Sequence, residues 1–132
     1  MKVSKNVMLG VLLTLIALAF AARTAQAQDM VKVAPQNVKV LLENDRVRVL
    51  EVVAKPGEKI GMHSHPGHIL YLMSGGGKMM TTFPDGKTVT TEGKTGEARW
   101  LEPVTHANEN AGDTEIRAVV VELKEPAKAE KK

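Results

Sequence analysis

The sequence predicts an all-β protein, a sandwich or small barrel, on three observations. Short apolar or alternating runs recur at spacings of roughly 8 to 12 residues, as they do in such folds. Glycine, proline, asparagine or aspartate lies between most of the runs, and these residues supply the dihedrals of turns. Finally, no stretch beyond residue 27 holds a 3.6-residue apolar period through three turns, so no amphipathic helix is expected there.

Taken in order, Val38 to Glu43 is the first strand, closed by Asn44-Asp45. Arg46-Val47-Arg48-Val49 then alternates polar and apolar, as a strand with one buried face does, and Leu50 to Ala54 continues it to Pro56-Gly57. Ile60 to His65 is stopped by Pro66-Gly67. Ile69 to Met73 is apolar enough for an inner strand and ends at Ser74-Gly75-Gly76-Gly77. Lys78 to Phe83 and Lys87 to Glu92 flank Pro84-Asp85-Gly86, where proline presets one turn dihedral and glycine accepts a positive one. Ala98 to Leu101, a segment around His106 and Glu115 to Lys124 complete about nine or ten strands.

The first 27 residues are expected to lie outside this fold. Lys2 and Lys5 precede an apolar run from Val7 to Ala22, and Ala25-Gln26-Ala27 follows, the order of a secretory signal peptide. That run is 16 residues long, against the ~20 a bilayer-spanning helix needs, so a lasting membrane anchor is not expected. The expected organisation is a leader at 1–27, an N-terminal arm at 28–37 as a loose segment or early strand, one domain at 38–124 and a disordered charged tail at 125–132. A periplasmic or secreted location follows. Of the 18 basic and 15 acidic residues, Lys2, Lys5 and Arg23 fall in the leader, which leaves 15 of each sign. A near-neutral domain offers no basic surface for nucleic acid. The chain has no cysteine, so neither disulfides nor a thiol nucleophile enter.

All four histidines lie in two places, His63, His65 and His68 in one stretch and His106 far downstream. Side chains two apart on a strand share a face, so His63 and His65 can grip one ion, and imidazole is the commonest transition-metal ligand. Such a pair needs further donors, for which His68 and His106 are the candidates.

Gly57, five residues, His63-Ser64-His65, and then Tyr71-Leu72-Met73 before a glycine-rich turn resembles the first motif of the cupins. Gly96, Pro103, His106, three residues and Asn110 is similar to the second. Where the family places a glutamate after the histidine pair, this chain has Ile69 and Leu70; a one-residue contraction sets His68 in the glutamate's position. The resemblance covers roughly Val38 to Lys124 and implies a double-stranded β-helix, the cupin jelly roll, in one small domain. It implies one divalent transition metal (Fe, Mn, Ni, Cu or Zn) held by His63, His65, His68 and His106, and a homodimer, with Gln28 to Glu43 available for strand exchange. For function it implies metal-dependent oxidation, dioxygenase-like, or isomerisation of a small carbonyl or enol compound. The alternatives are non-catalytic capture of a metal or small ligand, and a structural cupin without turnover. Imidazole ligands must be deprotonated, so metal retention is expected to weaken towards about pH 5 to 6.

Other residues carry weaker signals. Trp100 and Tyr71 are candidates for the pocket wall, with plain packing as the competing account. Arg48 and Arg99 suit a substrate carboxylate, although arginines alternating in strands usually mark a solvated face. Glu97, Glu102 and Glu109 are conceivable acid-base groups. Met79-Met80 is better explained by core filling than by copper binding. The Gly-Lys-Thr triplets at 86–88 and 93–95 lack the earlier glycine of a phosphate loop.

Overall fold

The alternating runs pair into two antiparallel sheets in a computed structural model that describes residues 28–125. The expected leader, and all but Glu125 of the expected tail, lie outside the described residues. A short helix α1 (Met30–Val33) precedes nine strands: β1 (Val38–Glu43), β2 (Val47–Ala54), β3 (Lys59–His65), β4 (His68–Ser74), β5 (Lys78–Thr82), β6 (Thr88–Glu92), β7 (Ala98–Leu101), β8 (Val104–Asn110) and β9 (Ile116–Leu123). One sheet has the order β1-β2-β9-β4-β7 and the other β3-β8-β5-β6. Sequence neighbours are thus distributed between sheets, as in a jelly roll. The segment around His106 is the complete strand β8, Val104–Asn110.

Leu50 of β2 and Val120 of β9 pack with Ile60 of β3 in one core cluster, which joins the two sheets. A second cluster, Leu72, Ile116 and Ala118, lies in the other part of the interior. Met79 packs against it, as core filling predicts for that member of the methionine pair.

Residues 28–37 are neither a loose arm nor a strand. Asp29 caps α1 by accepting the Val31 N–H at 2.9 Å, and Met30 and Ala34 are buried in the first core cluster. The carbonyl of Gln28 accepts the Ser64 N–H at 3.0 Å, so the segment is also fastened to β3. Apolar burial decides the conformation of a segment too short to show any period.

The turn after β4 requires glycine at position 75. Its φ is +73°, and a Cβ there would meet the Glu115 carbonyl oxygen at 1.9 Å. Gly75→Ala is therefore expected to destabilise the domain by about 1–3 kcal/mol, measured by urea unfolding.

One irregularity and one register aim the interior side chains at one end. In β3, Ile60 pairs with Asn108 but His63 pairs with His106, so Gly61 and Met62 together oppose Ala107. This β-bulge reverses the phase of the strand: Ile60 and His63, three apart, both point inward and are buried. In the five-stranded sheet, Arg48 and His68 both pair with Glu122, which places an acid between a guanidinium and an imidazole across three strands.

On the outer face of the same sheet, Leu42, Val49, Val121, Ile69 and Trp100 form a row with one apolar residue from each strand. Leu42, Ile69 and Trp100 in this row are exposed.

Candidate metal centre

His63 and His106 face each other across the β3–β8 pair, and His65, two residues on, shares the inward face of His63. One ligating atom from each of these three lies within 4.8 Å of the others. The His63 and His106 ring centroids are 4.8 Å apart, and those of His65 and His106 5.5 Å. His68 enters from β4 in the opposite sheet, its ring centroid 4.6 Å from that of His65. It lies beside the three-histidine group, which is assembled without it.

Hydrogen bonding decides which nitrogens are available. His63 Nδ1 donates to the Gly61 carbonyl at 2.7 Å, and His68 Nδ1 to the Pro66 carbonyl at 2.8 Å. A carbonyl can only accept, so each of these neutral rings keeps a bare Nε2. His65 Nδ1 donates to Glu122 Oε1 at 2.6 Å. The Nε2 atoms of His63 and His65 then meet at 3.0 Å. This contact is a hydrogen bond only if one ring takes a second proton; a cation placed between the lone pairs removes that need. The donor set thus fits a transition-metal ion, and the carboxylate behind His65 is the usual orienting partner of a metal-bound imidazole.

Protonation is opposed by the surroundings. Burial holds His63 and His68 below the ordinary imidazole range. Burial, with the neighbouring imidazoles adding to it, takes His106 down to about 3. Burial pushes Glu122 upward, but its hydrogen bonds from His65 and Arg48 prevail and leave it below the usual carboxylate range. It is an anion at neutral pH.

Glu122 is the residue that reading the sequence missed. It is 2 % exposed and occupies the fourth inward position of β9, after Ile116, Ala118 and Val120. A carboxylate in phase with three buried apolar residues was the available signal. Arg48 is corrected with it. Its side chain faces inward and donates from Nε to Glu122 at 2.7 Å and from Nη1 to Asp29 at 2.6 Å. Partnered by two acids, it is neither on a solvated face nor free for a substrate.

A cavity of about 340 Å³ adjoins the histidines on the His106 side. Its wall is mainly apolar, with Leu70, Met79, Phe83 and Leu101 among the contributors and Asn108 the next inward residue of β8 after His106. Tyr71 and Trp100 do not belong to it. His68, Leu70 and Leu72 take the inward positions of β4, so Tyr71 points outward and is 43 % exposed. Arg99 and Leu101 line the cavity from β7, which turns Trp100 outward at 52 % exposed. Its ring lies against Gly67, where a Cβ would meet ring carbons at 3.0 Å, and its Nε1 donates to Glu102 at 2.7 Å. The other candidate acids are engaged as well. Glu109 pairs with Lys59 at 3.5 Å, and Glu97 binds Arg99 through both oxygens at 2.8 Å. Asn110 stitches strand ends together, its amide donating to the carbonyls of Ala54 and Thr114.

Among solved structures, a cupin domain from Bordetella pertussis is 31% identical with a TM-score of 0.61, over 67% of this chain and 92% of that one. The chain belongs to the cupins. A double-stranded β-helix protein from Klebsiella pneumoniae (20% identity, TM-score 0.52) matches this cupin over 76% of its chain and 98% of the other. A cupin family protein with a double-stranded β-helix fold from Methanocaldococcus jannaschii (17%, TM-score 0.52) matches over 77% and 84%. These two support the fold alone. No family model and no curated protein matches the chain.

Proposed function

We propose that this cupin holds one divalent transition-metal ion through His63, His65 and His106, with His68 as a fourth donor, and presents it to a small molecule in the adjoining cavity. The carrying observation is the convergence of three buried or half-buried imidazoles, each from a strand position facing the others. A bound ion supplies Lewis acidity towards a carbonyl or enol oxygen. The chain itself supplies a mainly apolar chamber that favours a compact apolar ligand body. Glu122 places a negative charge one hydrogen bond behind His65, so the centre is not free of carboxylate influence as the histidine count alone suggested. Fe, Mn, Ni, Cu and Zn all accept this donor set. Elemental analysis of purified protein should find near one ion per chain. His68→Ala should weaken binding about 10-fold and leave the fold intact; unchanged affinity removes His68 from the set.

Turnover, as a dioxygenase-like oxidation or an isomerisation, is the enzymatic form of this reading. One observation favours the non-catalytic form, capture of a small ligand. Glu97, a cavity acid, is locked to Arg99, whose hydrogen bonds take it down to about 2, so it is too weak a base to take a substrate proton. Oxygen uptake with diketones, thiols and phenols separates the two; stoichiometric binding without consumption selects capture. A structural cupin predicts metal below a tenth of an ion per chain after reconstitution. Export to the periplasm or beyond belongs to the same proposal and is checked by sequencing the N-terminus of protein from the cell envelope, expected to begin at Gln28. The homodimer, checked by sedimentation, would use the edge strand β1, which leaves Leu41 and Leu42 exposed.

The lowered histidines revise the acid behaviour expected from the sequence. An unfolded chain takes up these protons near pH 6.5, while folded His106 resists them to about 3. Between those values the unfolded state binds more protons, so stability falls as pH falls. Metal-free protein should therefore show a melting temperature that declines steadily from pH 7 to pH 4. A flat profile contradicts the burial of neutral rings. Metal retention should likewise extend below pH 5 to 6.

A further inference from the structure

We propose that the segment from Asp29 to Ala34 is a clasp that completes the metal centre, acting on His65 through Arg48 and Glu122; this rests on the metal-binding reading above. Four side chains form one chain of contacts in which each link uses its own atoms. Asp29 Oδ2 accepts from Arg48 Nη1 at 2.6 Å, Arg48 Nε donates to Glu122 Oε2 at 2.7 Å, and Glu122 Oε1 accepts from His65 Nδ1 at 2.6 Å. The other oxygen of Asp29 is spent on the helix cap. The links join α1, β2, β9 and β3, so both sheets and the N-terminal segment meet in this one line.

Its physical consequence is orientational. A carboxylate held at one oxygen alone can rotate, and the imidazole bound to the other oxygen rotates with it. Arg48 fixes Glu122 from behind, and a planar guanidinium with two acids on different nitrogens is itself fixed. Asp29 is in turn anchored by burial of Met30 and Ala34 and by the Gln28 carbonyl on Ser64, the residue between His63 and His65. The geometry therefore makes Arg48 and Asp29 positioning residues for His65 Nε2, although neither reaches the ion.

Co2+ binding to the full domain tests this, with affinity and d–d absorption as readouts, alongside the 15N shifts of His65 in metal-free protein. Arg48→Met is expected to weaken Co2+ about 10-fold, the low end for loss of an outer-shell partner, to shift the absorption bands and to mix the His65 tautomers. Arg48→Lys should recover part of the affinity. Asp29→Ser is the second variant: serine keeps the cap but is too short to serve Arg48, so it isolates the ionic link from the helix. It is expected to weaken Co2+ about threefold, with helix α1 retained and apo melting lowered by less than in Arg48→Met. Wild-type uptake with both variants within twofold of it, and the spectra unaltered, overturns the clasp alone. Absence of Co2+ uptake by the wild type overturns the metal-binding reading and the clasp with it.

Discussion

His106→Ala is expected to reduce bound metal from near one ion per chain to below a tenth after dialysis against a weak chelator, with affinity down at least about 100-fold. Loss of a partner behind a ligand already costs 10–100-fold, and loss of the ligand itself must cost more. His106 sits directly opposite His63 and is the member of the group that also lines the cavity. Without it, His63 and His65 remain as a pair from one strand, with only His68 to help. The fold should survive, because the ring is half-buried and has no hydrogen-bond partner among the described residues. The same variant should flatten the acid-dependence of melting, since the largest depression among the histidines goes with it. Full metal content in His106→Ala removes β8 from the centre and leaves a two-stranded site.

The parts of this site that were legible are those in which spacing and strand phase agree. His63-Ser64-His65 needs only the period of a strand, and both histidines do share a face. The pairing of His63 with His106 was accessible through the cupin resemblance but not through counting. From Ile60, a regular alternation sends His63 to the opposite face, and only the bulge at Gly61-Met62 restores it. Gly61 was the one available signal, because an isolated glycine inside a strand often marks a bulge. Tyr71 and Trp100 are a further case, because the information was present. His68, Leu70 and Leu72 are in phase with one another and out of phase with Tyr71, so treating His68 as a ligand already implied an outward Tyr71. For Trp100, the expectation that a large aromatic is buried lost to the register of a four-residue strand. The N-terminal helix was illegible for a different reason: four residues carry no period, and its conformation depends on a core supplied by strands far along the chain.

Glu122→Ala is expected to cost about 3–5 kcal/mol of folding stability, the usual consequence of removing one partner from a buried charged pair. That is a large part of the roughly 5–15 kcal/mol a domain of this kind possesses. The carboxylate is 2 % exposed and serves two donors, Arg48 Nε and His65 Nδ1. Truncation leaves Arg48 with Asp29 alone, and leaves His65 Nδ1 buried against an empty space. Glu122→Gln separates charge from shape. Its amide oxygen can still accept from Arg48, but its nitrogen then donates to His65 Nδ1, which moves that ring's proton to Nε2, and the charge opposite Arg48 is gone, so it should recover only part of the stability in urea unfolding. Metal affinity should fall 10–100-fold in both variants because His65 loses its orientation in the first and its bare Nε2 in the second. If Glu122→Gln matches wild type in unfolding and in metal affinity, the negative charge is dispensable, and the ion pair with Arg48 is not what holds this end of the barrel together.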